Sequence, residues 1–178
     1  MPRHVAFLRA INVGGHVVKM DRLRRLFEEV GHSEVETFIA SGNVVFEAAS
    51  RNTASLERAI EAKLREALGY EVATFIRSPG DLAAIGRFRP FPGGDARDGS
   101  SLYVGFLSAK PAAAAIRALR ACESELDAFR VRGREVYWLL RGRFGDSKFS
   151  GARLEKILGV SATLRNVTTV TKLAAKYA

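Results

Sequence analysis

Three observations predict an α+β fold made of two ferredoxin-like α/β plaits in tandem. Strand and helix patterns follow the order strand, helix, strand, strand, helix, strand, the βαββαβ order in which an antiparallel sheet carries both helices on one face. That order occurs twice in 178 residues, each time followed by an extra helix. Between the two runs lies Pro90-Phe91-Pro92-Gly93-Gly94-Asp95, continuing to Gly99, with the composition of a boundary. The expected division is a first domain with its appended helix over residues 1–89, a linker over 90–100, and a second domain with its terminal helix over 101–178. This reads as a tandem duplication of pattern, without obvious residue identity between the halves.

Each element has a local reason. His4 to Ile11 is apolar on both faces apart from Arg9, as in a central strand. From Met20, apolar residues recur at Leu23, Leu26, Phe27 and Val30 with helical period, and Gly31 is a suitable stop. Val35 to Ala40 and Val44 to Glu47 form a hairpin around Ser41-Gly42-Asn43, whose Gly and Asn tolerate the positive φ of tight turns. Thr53 to Leu68 is amphipathic and followed by Gly69; Tyr70 to Arg77 closes the unit as a strand, and a short helix follows around Asp81 to Phe88. In the second half, Ser101 to Ser108 is a strand, Pro111 opens a helix to about Cys122, and Leu126 to Arg132 with Glu135 to Arg141 make a hairpin around Gly133. Ser150 to Leu158, Ala162 to Arg165 and Val167 to Tyr177 supply helix, strand and terminal helix.

Composition narrows the function classes. The net charge is +9 and the pI about 10.2, which favours contact with polyanions or anionic small molecules; base composition of the genome is the bland explanation. The excess is uneven, with 13 Lys/Arg against 11 Asp/Glu in residues 1–89 and 15 against 8 in residues 90–178. A single cysteine, Cys122, excludes an internal disulfide and a cysteine-cluster metal site, and His4, His16 and His32 lack metalloenzyme spacing, so neither metal nor cofactor is expected. No apolar run reaches membrane-span length, so the expected protein is soluble and cytoplasmic, with no membrane partner and a monomer slightly favoured over an oligomer.

Several patches resemble the uncharacterised bacterial family catalogued as domain of unknown function 1697. They are Leu8-Arg9-Ala10-Ile11-Asn12-Val13-Gly14-Gly15, Met20 with Leu23, Ser41-Gly42-Asn43-Val44-Val45-Phe46, Ser147-Lys148 with Leu154-Glu155-Lys156, and Arg165-Asn166 with Thr169-Val170-Thr171-Lys172-Leu173. They run through almost the whole chain in the family's order. The family pattern has Gly where this chain has Ala10 and an aromatic, usually Trp, where it has Val167. The resemblance implies paired plaits and no established activity or catalytic residue.

Plait geometry points to two candidate sites. The first and second strands run the same way, so Asn12, Gly14 and Gly15 should converge with Ser41, Gly42 and Asn43 at one sheet edge, while Arg9, on the strand face with Val5, Phe7 and Ile11, should point to the side without helices, open to a ligand or to the other domain. Glycine-rich backbone opening a helix can offer N–H donors to phosphate or carboxylate; equally, these residues can simply shape a loop and a turn, with Arg9 paired at a domain interface. In the second half, Arg143, Ser147 and Lys148 should approach Arg165 and Asn166 at an edge shared by two helix N-termini, which suits an anion but also describes a basic rim with ordinary caps. His16 reads as a surface residue and Cys122 as a small inert one. Tyr103, Phe106, Tyr137 and Trp138 could stack on RNA, but the ribonucleoprotein motif is absent and core packing is the favoured reading. Two function classes follow: an anion-binding module for nucleic acid or a phosphorylated metabolite, or a small-molecule enzyme at a domain cleft beside the Asn12 to Gly15 loop and the Ser41 to Asn43 turn.

Overall fold

The run Val5-Ala6-Phe7-Leu8 makes the first strand, β1 (Arg3–Leu8), buried on both faces, and the rest of its sheet assembles around it. A computed structural model of the chain describes residues 1–12, 15–39, 42–92 and 100–178. The elements run β1, α1 (Met20–Glu29), β2 (Ser33–Thr37), β3 (Asn43–Glu47), α2 (Thr53–Leu68), β4 (Thr74–Arg77), α3 (Pro79–Arg87), β5 (Ser101–Leu107), α4 (Ala113–Arg120), β6 (Asp127–Arg132), β7 (Glu135–Leu140), α5 (Gly151–Leu158), β8 (Ala162–Asn166) and α6 (Val167–Tyr177). They form tandem ferredoxin-like units with four-stranded sheets ordered β2-β3-β1-β4 and β6-β7-β5-β8. Every strand pair is antiparallel.

The registers of the two sheets match. Val5 faces Val45 and Arg77, and Val104 faces Tyr137 and Arg165. One face of the first sheet, with Ala6, Leu8, Val44, Phe46 and Ile76, packs with Leu23, Phe27, Leu56, Ile60 and Leu64 of α1 and α2. In the second sheet Leu107, Phe129, Val136, Trp138 and Leu140 pack with Leu119 of α4 and Leu154 and Leu158 of α5. Helices α2 and α5 are capped as their sequences suggest: the Asn52 side chain accepts from Ser55 N–H and Ser150 from Arg153 N–H, while Gly69 and Gly159 end α2 and α5 in the left-handed region.

Three strands depart from their expected bounds by two residues or more, β2 by starting at Ser33 and ending at Thr37. β1 stops at Leu8 because Ala10 turns to φ +53°, so Arg9 lies beyond the strand and Ile11 joins the core under α1 and α2. β4 begins only at Thr74, because Tyr70 donates its hydroxyl to the Ile11 carbonyl and Val72 is buried before the pairing starts.

By contacts the chain divides into one unit of Met1–Ala84 with Leu173–Ala178, and a second of Ile85–Lys172. The end of α6 thus counts with the first unit and the end of α3 with the second. Of the expected linker, residues 93–99 lie outside the described residues. Among the described residues no helix is long and apolar enough to cross a membrane.

Candidate functional site

Strand direction brings the first candidate edge together. Leu8 N–H donates to the Gly42 carbonyl at 2.7 Å and Arg9 N–H to the Ala73 carbonyl at 2.9 Å, tying the end of β1 to the β2–β3 turn and to the approach to β4. The polar side chains here hold backbone. Asn12 Oδ1 accepts from Val18 N–H at 2.7 Å, and buried Asn43 donates from Nδ2 to the Phe38 carbonyl at 3.1 Å. Gly15 and Gly42 adopt φ +84° and +96°, and a Cβ on Gly15 would meet nothing within 4 Å, so backbone conformation alone calls for glycine at position 15. His16 stacks on Tyr70 with ring centroids 3.9 Å apart. Gly14 and Ser41 lie outside the described residues.

The second edge is organised by a buried carboxylate. β7 and β8 end beside the start of β5, with Ser101 opposite Leu140 and Tyr103 opposite Asn166. Ser147 Oγ donates to Asp127 at 2.8 Å, and Trp138 Nε1 donates to the same carboxylate at 2.8 Å. Asp127 is buried, so it anchors the loop that presents Lys148. Arg143 and Lys148 are exposed there, and Asn166 Oδ1 accepts from Thr168 N–H at the opening of α6. Arg165 departs from the expectation. Its guanidinium donates to Thr163 Oγ1 and to the Leu164 carbonyl, both at 2.8 Å, and burial pulls it down to about 10. Strand alternation puts it on the face opposite α4 and α5.

That face carries a feature the sequence reading missed. Alternation along β5 and β7 turns Leu102, Tyr137 and Leu139 away from the core under α4 and α5. A cavity of about 410 Å³ lies over them, walled by Phe88, Arg89, Phe91 and, from α6, Val167 and Thr171. Phe88 meets Tyr137 at 5.0 Å between ring centroids. Arg132 lies over the Phe88 ring at 4.5 Å and Arg130 over the Phe91 ring at 5.0 Å, so cations back the aromatic wall; Arg130 also meets Glu123 at 3.4 Å. None of the lining residues is acidic. Burial first, with nearby Glu135, pushes the Tyr137 phenol up to about 12 against the pull of Arg132, so its hydroxyl keeps its proton.

The wall is assembled from four separate stretches, which hides it from local patterns. Its one sequence signal is Phe88-Arg89-Pro90-Phe91, an aromatic and basic run at the start of what reads as a linker. A smaller hollow of about 320 Å³ lies beside α2, but its Arg58, Glu61, Arg65 and Glu71 carry both signs, with Arg65 and Glu71 paired at 3.5 Å. Among the described residues no three His, Cys, Asp or Glu side chains could together hold a metal ion. The RNA-type platform is split between two faces: Tyr103 and Trp138 pair 5.3 Å apart on the helix-covered side, while Tyr137 is on the other. Cys122 is half-buried, with Sγ 3.4 Å from the Ala118 carbonyl.

Comparison with known proteins agrees on the architecture. The conserved bacterial protein SP0830 from Streptococcus pneumoniae superposes with a TM-score of 0.77 at 23% identity, covering 99% of this chain and 98% of its own. The family model described as protein of unknown function (DUF1697) matches residues 1–137. No curated protein matches the chain.

Proposed function

Since the chain belongs to the DUF1697 family, whose description carries no activity, we propose a function from geometry: an anion-binding module that holds a phosphorylated small molecule in its second unit. The observation that carries this reading is the 410 Å³ cavity, with Arg89 in its wall, Arg130 and Arg132 behind its rings and no acidic residue lining it. Its volume lies in the range of about 300 to 1,000 Å³ typical of small-ligand pockets, and the net charge of +9 adds a field that draws anions. Nucleic acid is less supported, because Tyr103 and Trp138 of the expected stacking platform lie on the helix-covered face, away from Tyr137. An enzyme site at the first edge is less supported too, since Asn12 and Asn43 already hold backbone groups. A cytoplasmic location accords with the lone, half-buried Cys122.

Calorimetric titration of the protein with small phosphate esters and with single-stranded RNA, at low and moderate salt, tests the reading. The esters should bind saturably and Arg89→Gln should weaken them by about tenfold or more, the worth of a charge-assisted hydrogen bond. RNA binding that falls steeply with salt, with no ester binding, would transfer the function to the polyanion.

A further inference from the structure

We infer that the ligand of the second-unit cavity is an amphiphile, an acyl or aryl body in the pocket with one anionic head at Arg89, and not a nucleotide. This rests on the anion-binding reading and specifies what the rest of the ligand must be.

The wall chemistry decides it. Leu102, Leu139, Val167, Ile85 and the faces of Phe88 and Phe91 make most of the lining hydrocarbon. Its polar atoms are few. Thr171 Oγ1 already donates to the Val167 carbonyl at 2.9 Å, the Gly86 carbonyl lies 3.5 Å from Arg89 Nη1, and Pro90 has no N–H to offer. Tyr137 is buried where it lines the cavity, and burial pushes its phenol up to about 12, so its hydroxyl carries a proton there. A nucleobase carries several donors and acceptors on its edge, and each one buried unpaired lowers affinity by about five- to 150-fold. A hydrocarbon body has none to lose, and each methylene it buries raises affinity by about fourfold.

The head has one place to go. Arg89 is exposed although it lines the cavity, so its guanidinium stays hydrated at the mouth and meets an anion without being dragged into a low-dielectric interior. An anion deeper inside would have to leave water among Leu102, Leu139 and Val167. An apolar body inside and a charge at the rim is the arrangement in which neither cost arises.

The test is calorimetry of the full chain with n-alkyl phosphates from ethyl to octyl, the matching alkanols, inorganic phosphate and adenosine monophosphate. Affinity should climb about fourfold per methylene until the cavity is full, each alkanol should bind at least about tenfold more weakly than its phosphate, and the nucleotide should bind no better than inorganic phosphate. A flat chain-length series with the nucleotide tightest overturns the amphiphile and leaves the anion reading standing. Alkanols as tight as phosphates overturn the anion reading and the head assignment with it, and a series in which nothing binds overturns both. Val167→Trp, at the first residue of α6, should occupy the cavity and abolish the chain-length dependence. Thr171→Trp, one turn along the same helix, repeats the test if the first variant melts early. Chain-length dependence that survives in a folded variant of either kind places the hydrocarbon elsewhere and overturns the inference.

Discussion

His4 and His32 pack on the Phe46 ring, with centroid distances of 5.5 and 4.6 Å, and both are buried. His4 Nε2 meets the Ser50 carbonyl at 3.0 Å, while His4 Nδ1 and His32 Nε2 have no hydrogen-bond partner among the described residues. Burial pulls both imidazoles below their usual 6.5, partly offset at His4 by the Ser50 carbonyl and reinforced at His32 by His4. The unfolded chain therefore takes up protons near pH 6.5 that the folded one resists, so stability is fully present above that pH and falls as pH drops towards the folded values. Urea denaturation should show a lower midpoint at pH 5.5 than at 7.5, and His32→Phe should flatten the difference; equal midpoints in the parent would mean the folded core accepts the protons freely. Ala10 is a second residue-scale case. At φ +53° its Cβ is strained, so Ala10→Gly should raise stability by about 1 kcal/mol, read as a shift in the thermal midpoint. The glycine in the resembling family's pattern was legible at this position before its cause was; only the backbone angle shows why a strand that reads on to Ile11 stops at Leu8.

At the scale of elements, both sheets close an open edge in the same way. β4 and β8 are edge strands, and an unpaired row of N–H groups invites pairing with another chain. Glu57 Oε1 accepts from Ile76 N–H at 2.9 Å and Glu61 Oε1 from Thr74 N–H at 3.0 Å, while in the second unit Glu155 Oε1 accepts from Ala162 N–H at 3.0 Å. In sequence these glutamates look like ordinary solvated charges between apolar helix positions. Removing two acceptors leaves two edge donors unmet, so the double substitution Glu57→Ala with Glu61→Ala should cost about 1 to 3 kcal/mol per bond and speed amide exchange at Thr74 and Ile76. Light scattering should rise with concentration in that variant; unchanged exchange at both amides would show that the carboxylates do not guard the edge. The bounds of α2 and α6 were legible to the residue, because Asn52, Gly69 and an unbroken helical period fix α2 locally. β4 was overextended, because Tyr70 and Val72 have strand-forming side chains whose tertiary partners lie elsewhere.

Over the whole molecule, sequence order and spatial grouping part company at the terminal helix. The periodicity of Val167 to Tyr177 identifies the helix but not its neighbours, just as the cavity wall drawn from Phe88, Tyr137 and Val167 cannot be read from any one stretch. The last six residues group with the first unit. There the Tyr177 hydroxyl donates to Glu36 Oε2 at 2.7 Å, Tyr177 meets the Phe38 ring edge-on at 5.9 Å, and Lys176 lies 3.5 Å from the same carboxylate. Glu36 is held below the usual carboxylate range first by the Tyr177 hydroxyl and then by the Lys176 charge. These surface contacts are individually weak, about 1 kcal/mol or less for an exposed ion pair, whereas Leu173 is fully buried and its loss costs on the scale of a large-to-small core change, about 2 to 5 kcal/mol. A fragment ending at residue 89, the boundary the sequence suggests, lacks both contributions. Its unfolding should come several degrees lower than that of the first unit in the whole chain, as a core loss of that size implies, and adding a peptide spanning residues 167–178 should recover part of the shift and slow exchange at Glu36 and Thr37. A fragment as stable as the parent, indifferent to the peptide, would show that the first plait completes its core without the end of the chain.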